Sequence, residues 1–161
     1  PAAEAAMVGE TREAVAGARR IADLFCGLGA FTFPLAEVAP VLAIDGSGPA
    51  VQALAAAIAS APGLHGITTE ARDLFRRPLL AAEMKRIDTV VFDPPRAGAQ
   101  AQCTEIALSG AGRVVGISCN PATFARDARR LVDAGFRLDR IRPVDQFLWS
   151  PHLELVAIFS R

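Results

Sequence analysis

The chain has 161 residues, 52% of them hydrophobic, with 17 Lys plus Arg balancing 17 Asp plus Glu, which suits one folded domain with a sizeable core. Zero formal charge excludes a global electrostatic pull toward nucleic acid or an anionic membrane, and the apolar run "ALAAAIASA" (53–61) is too short and Ala-rich to span a bilayer. "PAAEAAMVGE" has no basic stretch leading into an apolar one, so no secretory signal is expected, and three scattered cysteines without a CxxC fit a reducing cytoplasm better than a disulfide framework.

Short apolar runs alternating with helical patterns predict βαβ units around a mostly parallel sheet, the α/β class. In chain order the pattern predicts a helix over about 3–18, a strand at 19–25, a helix over 29–38 and a strand at 41–45. A longer helix follows to about Ala61, with Ser47 as N-cap and Pro49 close behind. Further strands are expected at 66–71, 88–93 and 113–118, the 88–93 run reading as buried on both faces. Asn120 and Pro121 open a helix through about Ala134, Gly135 supplies its C-cap, and 136–144 and 152–160 read as two closing strands, an antiparallel pair. No repeat or linker divides residues 1–161, so one domain is expected, and a start inside a helical pattern points to a longer parent protein.

"DLFCGLGAF" (23–31) sits on the turn from the first strand to the first helix after it. Gly27 and Gly29 would let backbone approach a ligand, and Asp45, ending the second strand, is placed to grip ribose hydroxyls. A tight turn without a ligand is the alternative. Two features separate S-adenosylmethionine from a dinucleotide. The third glycine of a dinucleotide fingerprint would fall at Thr32, and Asp23 puts negative charge where a pyrophosphate would be repelled but an amino group and sulfonium attracted. Asp73 in "ARDLF" suits an adenine amino group or, equally, a helix N-cap.

"FDPPRAG" (92–98) puts Asp93 at a strand's carboxyl end, the edge where open α/β sheets bind ligands, with Pro94 and Pro95 stiffening the loop. Methyltransferases acting on exocyclic amines place a stacking aromatic after a similar motif; Arg96 stands there instead and the chain has no tyrosine, so amine methylation fits poorly. A rigid loop capped by Asp93 is the alternative. In "VVGISCNPATFARD" (114–127), Cys119 follows a strand at the same edge, beside a helix N-terminus whose dipole favours thiolate. From position alone it is nucleophile or filler, whereas Cys26 and Cys103 read as buried and inert. In "DQFLWSPHLELVAIF" (145–159), His152 and Glu154 share one face of a strand, and Glu154 at the mouth of an apolar run suits a general base, or an arginine partner. His152 reads as an orienting residue, since no second ligand sits at metal-site spacing, and His65 as surface.

"DLFCGLGAFTFPLA", "DPPRAG", "SCNPATFARDARRL" and "HLELVAIF" together resemble, in order and spacing, the RNA (uracil-5-)-methyltransferases, which make 5-methyluridine in tRNA or 23S rRNA. The resemblance spans nearly the whole chain. It implies a class I S-adenosylmethionine-dependent, Rossmann-like fold: a mostly parallel seven-stranded sheet, helices on both faces, and an antiparallel last strand. It also implies Cys119 as nucleophile on uracil C6, Glu154 as the base removing the C5 proton, and Asp93 beside the uracil. Asp23, Gly27, Gly29, Phe31, Asp45, Asp73 and Asp93 would then serve the cofactor, and Arg96, Asn120, Pro121 and His152 the RNA, with no metal in this part of the protein and no membrane role. Phe147 and Trp149 would stack on the base or pack. The family's Pro-Gln-Thr before His-x-Glu is replaced by "LWSP", and an amino-terminal RNA-binding barrel would lie outside these residues. Other targets within the same chemistry are cytosine C5 or a protein side chain; a silent RNA-binding domain on this fold is the non-enzymatic alternative.

Overall fold

The structure, a computed structural model, describes residues 2–145 and 153–161. In chain order they form α1 (Ala2–Ala14), β1 (Ile21–Leu24), α2 (Thr32–Ala36), β2 (Val41–Asp45), α3 (Gly48–Ala59), β3 (Ile67–Ala71), β4 (Thr89–Phe92), α4 (Gln100–Leu108), β5 (Arg113–Ser118), α5 (Pro121–Asp133), β6 (Arg137–Asp145) and β7 (Leu153–Ser160). The seven strands lie in the order β3-β2-β1-β4-β5-β7-β6. Strands β1 to β5 are parallel, and β7 runs antiparallel to both its neighbours.

Every residue of β1 and β4 is buried, because both faces of the sheet are covered. Side-chain alternation sends Ala22, Leu24, Val90, Phe92 and Val114 into one apolar cluster with α4 and α5. Ile21, Val91, Val115 and Ile117 enter the other, under α1, α2 and α3. Burial of each large side chain such as Phe92 or Phe159 stabilises by about 1.5–3 kcal/mol. The Thr and Glu residues that interrupt the 66–71 run have a cause in topology: β3 is an edge strand, and these side chains are only half-buried or more exposed.

The long helices start and stop on local signals. Ser47 caps α3 by accepting the Ala50 N–H at 3.3 Å, Asn120 caps α5 by accepting that of Ala122 at 3.1 Å, and Gly135 takes φ 96° after α5. The leading helix stops earlier than expected, at Ala14, and a turn through Gly17 brings the Arg19 N–H to the Asp88 carboxylate at 3.0 Å. The helix expected over 29–38 is only Thr32–Ala36, the preceding residues being used by the ligand-edge turn. Helix α4 is not foreshadowed by the sequence pattern, although two adjacent parallel strands require a crossover. Gln102 breaks its apolar stripe yet is buried, paired with Leu79 through its Oε1 (2.8 Å to the N–H) and Nε2 (3.0 Å to the carbonyl).

From β1 the chain moves outward through β2 and β3, then returns to β4 on the other side of β1. That reversal opens a crevice beyond the carboxyl ends of β1 and β4, where Asp93 donates its N–H to the Leu24 carbonyl at 3.2 Å. No helix among the described residues is long and apolar enough to cross a membrane.

Candidate functional site

The turn after β1 is built around carboxylates. Asp45 accepts the Gly27 N–H on Oδ2 at 2.9 Å and the Ser47 N–H on Oδ1 at 2.7 Å, tying the turn to the end of β2. Each oxygen keeps a further lone pair for a ligand hydroxyl. Gly27 and Gly29 both have positive φ, 54° and 95°, but serve different neighbours. Nothing lies within 4 Å of a Cβ built on Gly27, so backbone there faces open space. A Cβ on Gly29 would meet Leu54 Cδ1 at 2.5 Å, so that glycine admits α3 rather than a ligand.

Beneath the turn, Asp23 is 1% exposed and accepts a 2.6 Å hydrogen bond from the Thr32 hydroxyl. Burial pushes its pKa up to about 7; the Thr32 bond opposes the rise, and the charges of Asp93 and Asp45 add to it. Cys26 is likewise raised to about 12, first by burial and then by Asp23 and Asp45, and Cys103 is raised mainly by burial, so both are inert thiols.

A cavity of about 220 Å³ opens between Phe25, Asp45, Asp73, Phe75, Asp93 and Pro95. Phe25 holds a positive φ of 62°, a conformation costing a non-glycine residue about 1–3 kcal/mol, and its ring meets Phe75 at 5.4 Å and 53°. Asp73 accepts the N–H groups of Phe75 (3.0 Å) and Arg76 (3.3 Å), so it caps this turn while lining the cavity. Two aromatic edges with carboxylates at the rim suit a planar heterocycle on a hydroxylated sugar. The same carboxylates oppose a pyrophosphate and favour a cationic ligand. The donor set therefore fits S-adenosylmethionine.

The second part of the site lies beyond β4, β5 and β7. Asp93 is half-buried, and burial followed by the charge of Glu154 raises its pKa to about 6. The β5–β7 ladder ends with Ser118 opposite Leu155; one step further along these antiparallel strands brings Cys119 level with Glu154. Cys119 is a free thiol, half-buried rather than sealed in the apolar interior. Strand alternation assigns Asp23, Asp93, Cys119 and Glu154 to one face of the sheet, the face of Val91, Ile117 and Val156.

The Asp93 loop is strapped to α5. The Arg96 carbonyl accepts from Asn120 Nδ2 at 3.0 Å and Thr123 Oγ1 at 3.1 Å. Asp127, 1% exposed, accepts the Ala99 N–H at 2.6 Å and pairs with Arg126, which donates to the Ala97 carbonyl at 3.0 Å. Asn120 is thus a cap and a strap, Pro121 is the exposed first residue of α5, and the exposed Arg96 side chain has no ion pair among the described residues. Phe31 is 8% exposed and packs in the apolar cluster under α1, away from the cavity lining. His152, Phe147, Trp149 and the "LWSP" segment lie outside the described residues. Sequence reasoning missed Phe25, Phe75, Thr123, Arg126 and Asp127 and read Thr32 only as an absent glycine; of the five missed, only Phe75, two residues after Asp73 in "ARDLF", carried a local signal. No group of three or more His, Cys, Asp or Glu among the described residues is arranged to hold a metal ion.

The profile of the tRNA (uracil-5-)-methyltransferases matches residues 5–161. The chain belongs to that family. An uncharacterized RNA methyltransferase of Caulobacter vibrioides is 62% identical over all 161 residues, which span 39% of that protein. A 23S rRNA (uracil(1939)-C(5))-methyltransferase of Chromohalobacter salexigens is 40% identical over 146 residues, 90% of this chain and 30% of the relative. The Pyrococcus abyssi tRNA (uracil-54, C5)-methyltransferase, solved with S-adenosyl-L-homocysteine, superposes with a TM-score of 0.79 at 29% identity, over 97% of this chain and 38% of that one. The chain thus spans 30–39% of the length of these methyltransferase relatives.

Proposed function

We propose that this chain is the catalytic part of an S-adenosylmethionine-dependent enzyme that methylates C5 of a uridine in 23S rRNA or tRNA. The observation that carries the reading is the convergence of a half-buried thiol, Cys119, and two carboxylates, Asp93 and Glu154, at the edge that also holds the Gly27–Asp45 turn. The Gly27 backbone, Asp45 and the Phe25–Phe75 pair would hold the cofactor's adenosine, and Asp23 in its ionised form would favour its cationic end. When bound, S-adenosylmethionine supplies an electrophilic methyl group.

Uracil C5 is a weak nucleophile, which explains the thiol. Cys119 as thiolate adds to C6, forming a C–S bond and moving the C5=C6 electron pair toward C5 and O4. Asp93 orients the ring beside this adduct. Once C5 carries the methyl group, Glu154 removes the C5 proton; the released pair re-forms C5=C6 and expels the thiolate. The base must leave its stack to expose both faces, so the target uridine is unpaired or flipped.

The test separates the two roles. With S-adenosylmethionine and a 23S rRNA or tRNA transcript, Glu154→Gln is expected to accumulate a denaturation-resistant protein–RNA adduct that Cys119→Ala does not form. Equal trapping by both variants rejects the assignment.

A further inference from the structure

The edge of the sheet opposite the candidate site carries an uncompensated positive surface. Arg19 and Arg20 lead into β1, and Lys85 and Arg86 lead toward β4; because the two strands are neighbours and parallel, all four residues meet at the amino-terminal edge. They line a cavity of about 450 Å³ together with Asp88. The Asp88 carboxylate is turned to the backbone, accepting the Arg19 N–H at 3.0 Å and Nε at 3.0 Å, and the Thr89 hydroxyl at 3.1 Å. Glu83 borders an adjoining cavity with Arg20, Lys85 and Arg86, yet both its oxygens are held by Arg72, at 3.0 and 2.8 Å.

Arg20, Lys85 and Arg86 are exposed and have no ion pair among the described residues. The polar cavity beside α1 shows the contrast: Glu10 there binds Arg140 and Arg142, each at 2.8 Å, and Glu13 and Asp139 line the same cavity with Arg113, so acids and bases balance. At the amino-terminal edge the cations outnumber the acids and point to solvent.

We propose that this edge is a second contact for the RNA, taking its phosphate backbone on Arg20, Lys85 and Arg86. The inference rests on the reading of the chain as an RNA methyltransferase. Strand β5 spans six residues, Arg113–Ser118, so the patch lies about 20 Å from Cys119 at ~3.3 Å per residue. That distance covers about six phosphates along one strand of a duplex at ~3.4 Å each. A loop oligonucleotide seated at Cys119 by its central base has only about three phosphates on either side, ~10 Å at that spacing, and stops short of the patch, whereas a folded RNA reaches it. The contact carries no base information. It adds affinity for structured RNA and leaves the negatively charged catalytic edge to select the base.

The experiment measures binding of two RNAs across a salt series: a folded hairpin with the target uridine in its loop, and the loop oligonucleotide alone. For the hairpin, the combined variant Arg20→Ala, Lys85→Ala, Arg86→Ala is expected to flatten the slope of log K against log salt by about 2 to 3, at ~0.7–0.9 for each phosphate that the protein ceases to neutralise. Binding of the short oligonucleotide is expected not to change. The charge-keeping variant Arg20→Lys, Arg86→Lys is expected to retain the parent slope, which separates charge from folding. An unchanged hairpin slope in the alanine variant, as for a patch that serves a protein partner, overturns the proposal, and so does an equal loss on both RNAs. Failure of the parent protein to bind either RNA overturns the functional reading itself.

Discussion

The Thr32 hydroxyl donates a 2.6 Å hydrogen bond to Asp23, a carboxylate with 1% of its surface exposed. This bond is the one local interaction that favours the charged form of a group whose pKa burial lifts from 3.8 to about 7. Between those values the folded chain holds a proton that the unfolded chain has released. Stability therefore falls as pH rises through about 4 to 7 and levels above it, by on the order of 4 kcal/mol from this residue alone. Asp23→Asn, which keeps the hydroxyl's acceptor, is expected to flatten this dependence in thermal melts across that range. Thr32→Val is expected to extend the loss to higher pH. A parent protein whose melting temperature does not fall between pH 5 and pH 7 rejects the claim.

Asp93 is raised to about 6, by burial first and by Glu154 second. Neutralising the second cause in Glu154→Gln is expected to lower the Asp93 pKa while leaving it above 3.8, because burial persists. Carboxylate NMR titration of Asp93 in both proteins reads this directly. An identical midpoint in the variant means that the two side chains do not share the site.

What the sequence made legible follows from which interactions are local. Strands β1, β4 and β5 were readable because burial on both faces demands mostly apolar runs, and α3 and α5 because Ser47 and Asn120 cap within three residues. Helix α4 was hidden because Gln102 pairs with Leu79, 23 residues away, and so satisfies itself where the pattern required an apolar side chain. Thr32 was legible only as an absent glycine; its bond to Asp23 exists because the turn folds back on itself. The Phe25–Phe75 contact joins two turns separated by several elements of the chain, beyond the reach of any local pattern.

The two turn glycines are expected to fail differently. Gly29→Ala puts a methyl 2.5 Å from Leu54 Cδ1, and Leu54 is itself 1% exposed with little room to yield. Strain and overpacking together are expected to destabilise by about 2–4 kcal/mol. Gly27→Ala meets no neighbour, so its stability cost is the backbone strain alone, about 1–2 kcal/mol. Its methyl instead enters the ligand approach, and calorimetry is expected to show weakened S-adenosylmethionine binding in a protein that remains folded. Full-affinity binding by Gly27→Ala would remove the turn from the cofactor site.

Asp127 is the anchor of the strap between α5 and the Asp93 loop, holding the Ala99 N–H at 2.6 Å and Arg126 at 2.8 Å while 1% exposed. Truncation in Asp127→Ala leaves a buried N–H and a guanidinium short of an acceptor, a loss of about 3–5 kcal/mol. Asp127→Asn keeps one acceptor oxygen and no charge, so it is expected to cost less, about 1–2 kcal/mol. The loop then swings more freely, and Asp93 spends less time beside Cys119. In the Glu154→Gln background, Asp127→Asn is expected to slow formation of the protein–RNA adduct more than it weakens S-adenosylmethionine binding, because of the cofactor cavity only Asp93 and Pro95 lie on the loosened loop and the Gly27–Asp45 turn has no bond to α5. Adduct formation at the parent rate in a destabilised protein would make the strap a matter of folding only.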